Sequence, residues 1–156
     1  MIGIIKADPY NSEGKDGYEI PFIHQARKPE VKEESYRSVQ EMIRARHRNL
    51  FWKTLCEFLD AKKLDDVEVY KKANVSRQLY SKIRNGHIPK KNVVLAFGMT
   101  MRLNKAEMDY LLNSAGYALT DTRRTDIVVT WCISQGIYDV GDVNRILYAN
   151  NAKLLQ

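Results

Sequence analysis

The chain has little cysteine: two residues in 156, at positions 56 and 132, without Cys-x-x-Cys spacing. That excludes a disulfide framework and a thiolate zinc cluster, and the apolar helical patterns around both thiols predict buried, free side chains in a reducing cytosol. No apolar run approaches the roughly 18 residues of a membrane span, and Met1–Lys6 is too short and wrongly ordered for a secretory leader. The expectation is a cytoplasmic protein with no membrane partner. Also missing are a glycine-rich phosphate loop, a nucleophile elbow, and a carboxylate pair that periodicity would bring beside a histidine. His24, His47 and His87 are scattered, with no second ligand at helical or turn spacing. Hence no enzyme activity, no cofactor and no metal are expected.

What is present suits a folded protein with a single core: 44% hydrophobic and 28% charged residues over a length that supports one domain. The net charge of +6 is uneven. Residues 1–30 carry four Lys/Arg against five Asp/Glu (−1), and residues 31–64 carry eight against five (+3). Residues 65–91 carry seven against three (+4), and the remainder balances at six against six. A basic middle favours polyanions as partners, although many basic surfaces are only solvated.

Two regimes divide the chain. Residues 1–30 are rich in Gly, Pro and Asp, with short apolar runs Ile2–Ile5 and Tyr18–Ile23. The pattern predicts an N-terminal arm or short β-hairpin, which needs a partner because an isolated hairpin is marginal. That partner is either the helical body or another protein chain, including a second copy.

From Val31 the periodicity is helical and predicts an all-α body. Val39, Met42, Ile43, Leu50, Phe51, Leu55, Phe58 and Leu59 form one stripe, on one long helix or on two meeting near Arg46–Asn49. Residues 31–49 read as a basic helical connector. Arg44, Arg46, Arg48 and Lys53 form a charged outer face that pairs with Glu41 and Glu57 or tracks phosphates. Asp65 with Glu68 predicts a capping box opening a short helix to about Ala73. Asn74-Val75-Ser76 then reads as a turn, with Asn74 left-handed and Ser76 capping a helix from Arg77 to Asn85 that stops at Gly86.

A helix from about Lys90 to Arg102 should bury Val93, Val94, Phe97 and Met101. The next, capped by Asn104 with Glu107, should bury Met108, Leu111, Leu112 and Ala115 and end at Gly116. Residues 117–156 add two helices on the same core: about 122–135, with Ile127, Val128, Trp131 and Cys132, and about 142–149, with Val143, Ile146 and Leu147. Trp52 and Trp131 are expected to pack in that core.

The spacing of Val69, Val75-Ser76, Tyr80, Ile83, Asn85-Gly86 and the Pro89-led helix resembles the helix-turn-helix domain of the phage-repressor superfamily, the Cro/Xre type. The likeness covers residues 50–116, in a divergent form with an N-terminal extension. It implies a five-helix repressor-like core in which Arg77–Asn85 is the recognition helix. In such repressors the positions of Arg77, Gln78, Ser81 and Lys82 face the base edges, which Arg, Lys and Gln can hydrogen-bond in the major groove. Arg84, Asn85, His87, Lys90 and Lys91 are then the expected phosphate contacts.

The implied partner is double-stranded DNA, the implied role is that of a bacterial or phage transcriptional regulator, of the defence- or prophage-associated kind, and a homodimer is the usual form. The chain departs from the family pattern in three ways, at four positions. Asp65 and Asp66 stand where a small polar group usually meets phosphate, Tyr70 replaces a small residue, and Asn74 replaces the turn glycine. Those acids favour an alternative: a protein-interaction module on the same scaffold, with residues 1–30 as the partner-binding element.

Overall fold

The computed structural model describes residues 32–47 and 49–155, all of them in helices, turns or loops. Eight helices occur among them: α1 (Glu33–His47), α2 (Leu50–Ala61), α3 (Asp66–Lys72), α4 (Arg77–Arg84), α5 (Lys91–Thr100), α6 (Lys105–Ser114), α7 (Arg124–Gln135) and α8 (Val140–Ala149). The all-α expectation holds for this part of the chain. The predicted arm or hairpin, residues 1–30, lies outside the described residues. The chain divides into two units, Met1–Val39 and Gln40–Gln156, with the boundary inside α1.

In the first unit the described residues are the opening turns of α1, with Glu33 and Glu34 in the first turn, where carboxylates complement the positive end of the helix dipole. Tyr36 and Val39 are exposed there.

The second unit contains the core. The expected stripe from Val39 to Leu59 falls on two helices that meet near Arg46–Asn49, the second of the two arrangements expected: α1 ends at His47 and α2 opens after Asn49, which is left-handed (φ 58°). Met42, Ile43 and Leu50 are exposed, whereas Phe51, Leu55 and Leu59 are buried. The core-facing pattern therefore begins only at Phe51.

Helix α5 is central. Seven successive residues, Val93 to Met99, are buried, so the helix is enclosed on every side rather than along the four-position stripe its sequence suggested. It contacts α3, α6 and α8. Gly98 makes room for a side chain of α6: a Cβ there would lie 2.4 Å from both Sδ and Cε of the fully buried Met108. Asn104 and Glu107 form the complete reciprocal capping box that starts α6.

The face of α7 is rotated relative to expectation. Asp126, Val129 and Cys132 are its buried residues, while Ile127 and Trp131 are about half exposed, at 49% and 50%. Trp131 is thus not a core residue, and Trp52 is only partly buried, its ring edge-on to Tyr80 at 5.4 Å. Asp126 occupies the core-facing position because Lys91 Nζ donates to its Oδ2 at 2.6 Å, and the Thr120 amide and hydroxyl each donate to the same oxygen at 2.9 Å. Helix α8 begins at Val140, capped by Asp139, and buries Val143 and Leu147. Residues from α2 through α8 and Leu155 belong to one hydrophobic cluster.

Candidate nucleic-acid interface

Helices α3 and α4 are short, and their termini are specified by side chains. The Asp65 carboxylate accepts from the Glu68 amide at 3.1 Å. The return bond from Glu68, which the predicted capping box required, does not form, since Glu68 turns to Lys72 at 3.8 Å. After α3, Asn74 is left-handed (φ 58°) and the Ser76 hydroxyl accepts from the Leu79 amide at 3.1 Å to open α4. Gly86 follows α4 with φ 103°, a conformation open to glycine.

The geometry of α4 separates two faces. At about 100° per residue, Arg84, Arg77, Ser81, Gln78 and Lys82 fall within roughly 160° of one side, and Leu79, Ile83 and Tyr80 within roughly 100° of the other. Tyr80 and Ile83 are buried, and Leu79 is partly buried. Arg77, Gln78, Ser81, Lys82 and Arg84 are exposed, and no acidic residue lies within the helix. Those side chains occupy one open, cationic, hydrogen-bonding surface.

Beneath that surface lies an aromatic support. The Tyr80 ring stands 4.7 Å from Tyr70 and 6.3 Å from Phe97, and its phenol donates to Asp66 Oδ2 at 3.3 Å. Burial, with the Asp66 carboxylate next in weight, pushes the Tyr80 hydroxyl well above its ordinary value. Tyr70 therefore fills the space between α3 and α4 against Tyr80. Asp65 and Asp66 are both engaged within the chain, one as a cap and one as an acceptor.

Of the expected phosphate contacts, Arg84, Asn85, His87 and Lys90 are exposed around the end of α4 and the following loop. Lys91 is not with them. Its side chain is only 12% exposed and its charge is engaged by Asp126. Lys53 is exposed on α2. The side chains of Arg44, Arg46 and Arg48 fall outside the described residues.

Several supporting groups carry no local sequence signal. Asn49 Nδ2 donates to the Arg84 carbonyl at 3.2 Å, tying the start of α2 to the end of α4 across 35 positions. Tyr117, beyond α6, donates its hydroxyl to the Pro89 carbonyl at 2.9 Å and holds the loop between α4 and α5. Such long-range bonds leave no periodic trace.

The Cys56 thiol lies near enough to Asp66 and Arg84 to feel both charges. Burial is the first cause that raises the Cys56 thiol, followed by Asp60 and Asp66, and burial alone raises Cys132. Cys132 is buried as expected, and Cys56 is partly exposed. Among the described residues no group of three or more His, Cys, Asp or Glu side chains is placed to hold a metal, and no helix is long and apolar enough to cross a membrane.

No protein-family model, curated protein or solved structure matches the chain.

Proposed function

We propose that the protein binds double-stranded DNA, with α4 as the helix that lies in the major groove, and acts as a transcriptional regulator. One observation carries this reading: a short capped helix whose outer face presents Arg77, Gln78, Ser81, Lys82 and Arg84, all exposed, over an inner face fixed by Tyr80 and Ile83. A groove-reading helix needs that division. The inner face must be immobile so that the outer one is positioned, and the outer face must offer donors matched to guanine and adenine edges. Arg84, Asn85, His87 and Lys90 then meet phosphates flanking the groove.

The test is fluorescence anisotropy with random duplex DNA, random single-stranded RNA and a duplex from the protein's own promoter, each at two salt concentrations. Salt-sensitive binding, tightest for the promoter duplex, is expected. Arg77→Glu with Lys82→Glu should abolish duplex retention. Retention at the parent's level by this double variant would remove α4 from the interface.

A second reading has its own support at the start of α3, where Leu64 and Val67 are exposed beside Asp65 and Asp66. An acidic and apolar rim suits a protein partner better than a phosphate, and residues 1–30 are the candidate partner-binding element. A homodimer, which two-fold operators would match, belongs to the first reading. Sedimentation with and without promoter duplex measures it.

A further inference from the structure

A second cationic surface lies in the C-terminal half of the second unit. A cleft of about 770 Å³ is lined by Lys90, Lys91, Arg123, Arg124 and Lys153, with Asp126 as its one acidic side chain. Asp126 is already neutralised by Lys91, which leaves Lys90, Arg123, Arg124 and Lys153 as exposed cations around the opening.

The cleft is held open by specific bonds rather than by chance placement of loops. The Thr125 hydroxyl donates to the Lys153 carbonyl at 2.9 Å, Asn92 Nδ2 donates to the Leu154 carbonyl, and the Leu155 amide donates to Asn144 Oδ1 at 2.8 Å. The C-terminal segment is thereby pinned to α5, α7 and α8, and Leu155 is fully buried. The walls also include the first turns of α5 and α7, neither of which has a side-chain cap, whereas α3, α4, α6 and α8 all do. Those two helix starts add to the attraction for an anion but would be weak without the side-chain cations.

Lys90 is shared between this cleft and the loop that leaves the recognition helix. Three residues separate it from Gly86, and it is six positions beyond Arg84, so it stands at most about 21 Å from the end of α4. Phosphates recur along each strand of duplex DNA within that reach, one for each 3.4 Å or so of helix axis.

We propose that Arg123, Arg124 and Lys153 bind the phosphate backbone of the same duplex that α4 reads, so that the cleft extends the contact beyond the α3–α4 unit. The proposal rests on the DNA-binding reading above. The occupant follows from charge: four exposed cations on an open rim, Lys90 among them, suit a polyanion. The contribution is independent of base sequence, because phosphate contacts carry none.

The experiment measures duplex affinity against salt for the parent, for Arg77→Glu/Lys82→Glu, and for Arg123→Glu/Arg124→Glu/Lys153→Glu. Lys91 is left intact because it holds Asp126. For the cleft variant the slope of log K against log salt should become shallower by about 2.7, which is three contacts at about 0.9 each, with the preference for promoter over random duplex retained. The neutral triple variant, with Gln at the same three positions, should give the same change and replaces the charge reversal if thermal melting shows a disturbed fold. An unchanged slope overturns the cleft assignment and leaves the reading of α4 standing. If only the cleft variant loses affinity, α4 is not the reading helix, the cleft binds duplex by itself, and the proposal that the two surfaces share one duplex is overturned. A parent that binds inorganic pyrophosphate but no duplex assigns the cleft to a free phosphate ligand and overturns both. A parent that binds neither overturns both as well.

Discussion

Helices α4 and α5 are neighbours in sequence and of similar length, 8 and 10 residues, yet one keeps a whole face open and the other keeps none. The difference is written in their side chains. Along α4 the charged and amide residues alternate with Leu79, Tyr80 and Ile83 at helical spacing, so burial takes one side only. Along α5 the run Val93–Met99 has no polar residue to set an outer side, so only enclosure satisfies it. A rigid, surrounded helix next to a half-open one is what the proposed reading surface requires: Phe97 of α5 packs against Tyr80 of α4, beneath the open face.

The most severe way to break this division is Phe97→Ala, which leaves a cavity at the centre of the core. It should cost about 3–5 kcal/mol in urea unfolding and weaken duplex binding only through the loss of folded protein. A residual-binding assay at low temperature, where the variant is folded, should recover the parent's affinity. A folded variant that still fails to bind would show that α5 does more than support.

Next in size is Asp126→Ala, which strands the Lys91 ammonium in a nearly buried site. A loss of about 3 kcal/mol is expected, and Lys91→Met with Asp126→Leu should regain much of it, since an apolar pair can replace a buried ion pair. If the single variant is as stable as the parent, the pair does not link α5 to α7.

The support under α4 is tested by pH. Because the folded state holds the Tyr80 hydroxyl neutral above its ordinary value of 10.0, its contribution is fully present below pH 10. Above that the unfolded chain loses its proton first and stability falls, by up to about 1.4 kcal/mol per pH unit, until the folded hydroxyl also ionises. Tyr80→Phe should remove that share of the alkaline loss, read as a smaller difference in urea midpoint between pH 9 and pH 11. Equal alkaline losses in parent and variant would mean that Tyr80 is not held by burial and Asp66.

The smallest effect on stability belongs to the outer face. Arg77→Glu with Lys82→Glu should shift unfolding by less than about 0.5 kcal/mol, as surface changes do, while acting on DNA retention as stated above. A large destabilisation would make those side chains structural and blur the contrast with α5.

Much of the body could be read from sequence, and the misses share a cause. Ser76, Asn74, Gly86 and the Asn104–Glu107 box are local signals, each settled within three or four residues, and the helix ends follow them. The burial of Tyr80 and Ile83 matches what the resemblance to repressor helix-turn-helix domains implies. On α7 Cys132 is buried and Val128 packs against the core as expected, but Ile127 and Trp131 turn outward because the core-facing position near the helix start is a carboxylate, Asp126, which hydrophobic periodicity places outside; only its partner Lys91, 35 positions away, makes it an interior residue. The same pairing took Lys91 from the expected phosphate contacts. The cleft leaves no sequence signal for a related reason, since Lys90, the Arg123–Arg124 pair and Lys153 are far apart along the chain and converge only in the fold.

The enclosure of α5 also bears on how the chain is made. On a ribosome α5 emerges before any residue of α8, with Lys91 and the side that meets α8 and the C-terminal segment still bare. Synthesis at roughly 5–20 residues per second would leave this surface uncovered for several seconds before Leu147 and Leu155 arrive. Arrival of the segment around Leu155, rather than completion of α4, is then the moment at which the support beneath α4 becomes rigid.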